Sequence, residues 1–79
     1  MSKLTRAQKA TFADDILRLF YKCYLIEATV PTSKAVKRCG LYLSQINAYD
    51  RALGILGYDY EVECDENDKP LSVKIIERS

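Results

Sequence analysis

A chain of 79 residues makes one domain with a single modest core, and its 48% hydrophobic and 29% charged residues describe an ordinary folded globule rather than a disordered tail. A net charge of +1 and the absence of any apolar run of about 18 residues give no sign of a membrane span. The opening MSKLTRAQKA is polar and mixed, unlike a signal peptide. Together these point to a cytoplasmic protein.

The first element is read from Thr5-Arg6-Ala7-Gln8, which has the form of a capping box. Phe12, Ile16, Leu19, Phe20 and Cys23 follow at helical spacing, so a helix is expected from Thr5 to about Tyr24–Ala28. At roughly 1.5 Å per residue it would exceed 30 Å. That is more than a small core covers, so its first turns are expected to project or to meet a second subunit. Val30 precedes Pro31 and is therefore expected to be extended, in a β-bridge of two or three residues.

A second helix is expected to start at Thr32 or Ser33, to turn Ala35, Val36 and Cys39 inward, and to stop at Gly40. Leu41 would re-enter the core. Ser44 would cap a third helix with Ile46, Tyr49, Leu53 and Leu56 on one face and Gly57 at its end. The remaining residues alternate. Pairing Tyr60 with Ile75, Val62 with Val73 and Cys64 with Leu71 keeps the apolar residues on one side, sets Glu61 opposite Lys74 and centres the turn on Asn67-Asp68.

The stretches AVKRCGLYLSQI and LGILGY, in this order of elements, resemble the winged helix-turn-helix family of DNA-binding domains, as found in small bacterial or phage-type regulators. The resemblance lies in Ala35, Val36, Gly40, Ile46, Leu53, Gly57 and Tyr58 and covers residues 30–78. It implies an α+β domain spanning residues 1–79: a first helix over 1–28, a helix-turn-helix over 32–57 and a hairpin wing over 58–78. It also implies a homodimeric transcriptional regulator that reads duplex DNA with residues 44–57.

On the face of that helix opposite Ile46 and Leu53 stand Ser44, Asn47, Ala48 and Arg51. Asn can address adenine and Arg guanine in a major groove. Lys34, Lys37 and Arg38 would meet phosphates. Tyr42, in the expected turn, is the tyrosine best placed to be exposed. The same residues also suit a merely solvated surface.

Charge is divided along the chain. Residues 1–51 hold nine basic and four acidic side chains, a balance of +5, and residues 52–79 hold three and seven, a balance of −4. The acidic hairpin is a poor companion for phosphates. It keeps open a second reading, a winged-helix module without a DNA target that binds protein through the acidic hairpin or the long first helix.

Nothing suggests catalysis. The chain has no His, no nucleophile–base constellation and no phosphate loop, and no cofactor or metal is expected. DENDKP at 65–70 lacks the ligands of a calcium loop and is read as a hairpin tip. Cys23, Cys39 and Cys64 form no CxxC pair and are expected to be reduced, with no intramolecular disulfide.

Overall fold

The computed structural model describes residues 3–29 and 32–78, and for 32–38 it describes the backbone path. The domain is α+β, with two helices and a two-stranded antiparallel sheet: α1 (Arg6–Thr29), α2 (Thr32–Leu56), β1 (Tyr58–Cys64) and β2 (Pro70–Glu77).

The capping box forms as read. Thr5 N–H donates to Gln8 Oε1 at 2.9 Å, and Gln8 N–H donates to Thr5 Oγ1 at 3.1 Å. Two of the helix's orphan donors are thereby satisfied. From there Ile16, Leu19 and Cys23 are buried, with Phe12 and Phe20 half-buried beside them. The start of α1 does not project. Leu4 N–H donates to the Tyr58 hydroxyl at 3.1 Å, Lys3 pairs with Glu77 at 3.0 Å, and Lys9 Nζ lies 5.3 Å from the centre of the Tyr58 ring. Lys3, Leu4 and Lys9 thus tie the start of α1 to the start of β1 and the end of β2, while Thr5, Arg6, Ala7 and Gln8 stay exposed.

The expected helix-turn-helix is absent, and with it the three-helix winged architecture. Residues 32–56 form one continuous helix through Gly40 and Ser44. The reason lies in the phase of the apolar residues. Cys39, Tyr42, Ile46, Tyr49, Leu53 and Leu56 recur at intervals of three and four without a slip. A turn at Gly40 would break that phase. A glycine inside a helix costs about 1 kcal/mol relative to alanine but does not stop it. Ser44 caps nothing; its hydroxyl donates to the Gly40 carbonyl at 3.0 Å, the back-bond of a serine in mid-helix. Leu41, expected in the core, is 66% exposed. Val30, Pro31 and the side chains of Thr32, Ser33, Ala35 and Val36 lie outside the described residues.

α2 runs antiparallel to α1, as four contacts along their length show. Tyr49 meets Phe12 edge-on with ring centres 5.8 Å apart, and its hydroxyl donates to Asp15 Oδ2 at 3.0 Å. Further along, Lys22 Nζ lies 5.4 Å from the centre of the Tyr42 ring, and Cys39 Sγ lies 3.8 Å from the Cys23 carbonyl. Gly57 ends α2 as expected. Its φ of 87° is the left-handed conformation that glycine adopts freely, and its N–H donates to the Gly54 carbonyl at 3.1 Å. Tyr58 then begins β1 and joins Ile16 and Leu53 at the centre of the core.

The hairpin keeps the expected register over most of its length, with Tyr60 opposite Ile75, Glu61 opposite Lys74 and Val62 opposite Val73. It departs at the tip. A bulge between Glu63 and Cys64 sets Cys64 opposite Pro70 rather than Leu71. The turn chemistry explains the shift. The Asp65 carboxylate accepts from Asn67 N–H at 2.8 Å and Lys69 N–H at 2.9 Å, and Asp68 takes a φ of 63°. This is a three-residue loop closed by a left-handed residue, centred on Asn67, and such loops carry a bulge. Pro70 is consequently buried, while Cys64 and Leu71 are exposed.

Substituting Ile46 or Leu53 by alanine should destabilise the fold by about 2–5 kcal/mol, the cost of deleting a buried aliphatic. Asn47→Ala and Arg51→Ala, on the exposed face, should stay within about 0.5 kcal/mol of wild type. Urea denaturation of the four variants measures both, and a large loss in Arg51→Ala would show the helix faces to be assigned wrongly.

Candidate interaction face on the second helix

At 3.6 residues per turn, the core stripe of α2 leaves an opposite stripe in solvent. Leu41, Ser44, Asn47, Ala48, Arg51 and Ile55 occupy it, and all are exposed. Ser44, Asn47, Ala48, Arg51, Ala52 and Ile55 line a shallow concavity. The structure therefore brings together Ser44, Asn47 and Arg51, three of the residues singled out from the sequence, on one continuous helix rather than on a separate reading helix.

Tyr42 does not join them. It lies in mid-helix on the core side, half-buried against Lys22 of α1. The side chains of Lys34, Lys37 and Arg38 lie outside the described residues.

Sequence reasoning missed the apolar part of this face. Leu41 is 66% and Ile55 74% exposed, and with Ala48 they recur every seven residues, off the core stripe. That spacing was the available signal. Over residues 39–56 the helix carries one cation, Arg51, and one anion, Asp50. Asp50 lies about 160° around the helix from Ala48, so the described part of the face carries Arg51 as its one charge.

Beside it runs a groove of about 370 Å³ between the helices, lined by Ala7, Gln8, Thr11, Phe12, Asp15 and Tyr49. Its polar feature is the Tyr49–Asp15 hydrogen bond. That bond and partial burial raise the Tyr49 phenol above its ordinary range, because ionising it would set two anions side by side. Burial likewise raises Tyr60, with Asp50 and Asp59 adding to the effect. Neither phenol is poised as a base at neutral pH.

Some of the hairpin's carboxylates are engaged within the fold. Asp59 pairs with Arg78 at 3.8 Å, Glu63 accepts from the Ser72 hydroxyl at 3.2 Å, and Asp65 holds the turn. All three thiols are free. Cys23 and Cys39 lie against each other between the helices, and burial pushes Cys23 up to about 11. Among the described residues no helix is long and apolar enough to cross a membrane. No family model, no curated protein and no solved structure matches the chain.

Two measurements check this geometry. A thiol-specific disulfide reagent at neutral pH should modify Cys64 rapidly and Cys23 and Cys39 only on unfolding; three equally fast thiols would contradict their burial. Ultraviolet titration should resolve two tyrosines that ionise late, and Asp15→Asn should return Tyr49 toward its ordinary range. Because the folded phenols are raised, the stability they contribute is complete below the ordinary phenol range and is lost as pH rises through the folded values.

Proposed function

We propose that this protein is a binding module without catalytic chemistry, and that it works by presenting the outward face of α2 to another protein surface. The observation that carries the reading is that Leu41 and Ile55, 66% and 74% exposed, stand at the two ends of one helix face whose described residues carry a single charge, Arg51. Large aliphatics flanking small residues on a regular element form the kind of surface that protein partners cover. Ser44, Asn47 and Arg51 at its margin supply polar contacts of the sort found at an interface rim.

Duplex DNA is the second reading, favoured by the +5 balance of residues 1–51 and by Asn47 and Arg51 on the same face. Affinity for DNA comes chiefly from phosphate contacts, and residues 39–56 of α2 offer a single cation against one anion. A regulator working through this face would draw its phosphate contacts from Lys34, Lys37 and Arg38 at the start of the same helix, whose side chains lie outside the described residues. The protein-binding reading needs no such contacts.

A photo-crosslinking amino acid at position 55, introduced in cells expressing the protein, should give protein adducts. The same group at Glu61 on the hairpin should give few. Purified protein should show no salt-dependent affinity for random duplex DNA in fluorescence anisotropy, even at low salt. Duplex binding that weakens steeply with salt, with DNA adducts from position 47 or 51, would overturn the reading in favour of the regulator.

A further inference from the structure

We draw no further inference here: the strongest candidate, the outward face of α2 between Leu41 and Ile55, carries nothing beyond the reading already given, because nothing in the structure shows what covers it.

Discussion

The fold depends on the placement of Tyr58. Its ring is buried with Ile16 of α1 and Leu53 of α2, while its hydroxyl accepts the Leu4 N–H just before α1 begins. One side chain thus ties the start of the first helix, the end of the second and the beginning of the sheet. Gly57 makes this possible by turning the chain in a left-handed conformation immediately beforehand. Replacing the phenol by an aliphatic would fill the same core but leave the Leu4 N–H without its acceptor. The Arg78 N–H donates to the Gly57 carbonyl at 3.0 Å, so the last turn of α2 is also tied to the end of β2.

What could be read from the sequence was whatever a few neighbouring residues decide. Thr5 and Gln8 satisfy each other's backbone groups, and the alternation of Tyr60, Val62, Val73 and Ile75 admits one register. Gly57 combines the end of a helical pattern with the start of an alternating one. Gly40 lacks the second half of that signal. The apolar stripe passes through it from Cys39 and Tyr42 to Ile46 without changing phase, and that continuity outweighs a local preference of about 1 kcal/mol. The resemblance to a helix-turn-helix arose because a glycine followed by an aliphatic six residues later also fits an unbroken helix. The hairpin tip was misread by one residue because Asp65 and Asp68 set the loop length, and their side-chain and backbone chemistry overrides simple alternation.

The candidate face was legible in part for the same reason. Ser44, Asn47 and Arg51 point away from Ile46 and Leu53 whether their helix begins at Ser44 or at Thr32, so their exposure was correctly anticipated. Tyr42 and Leu41 were placed wrongly because both assignments assumed a turn. The division of charge along the chain does not make a basic face on residues 39–56 of α2. Of the acidic side chains of residues 52–79, Glu77 pairs with Lys3 of the basic half and Asp59 with Arg78, so most of the acidic excess stays on the hairpin.

The continuity of α2 is the central claim, since the outward face from Leu41 to Ile55 exists only if the helix does not break at Gly40. Gly40→Ala, followed by urea denaturation, addresses it most directly. Beyond its chain neighbours and the helix's own backbone, no atom of the described residues lies within 4 Å of where a β-carbon would stand, and the residue is not in the left-handed region. A continuous helix predicts that the alanine variant is more stable by about 0.5–1 kcal/mol. A glycine at a left-handed turn between two helices would instead make the substitution destabilising, and that result would contradict the account.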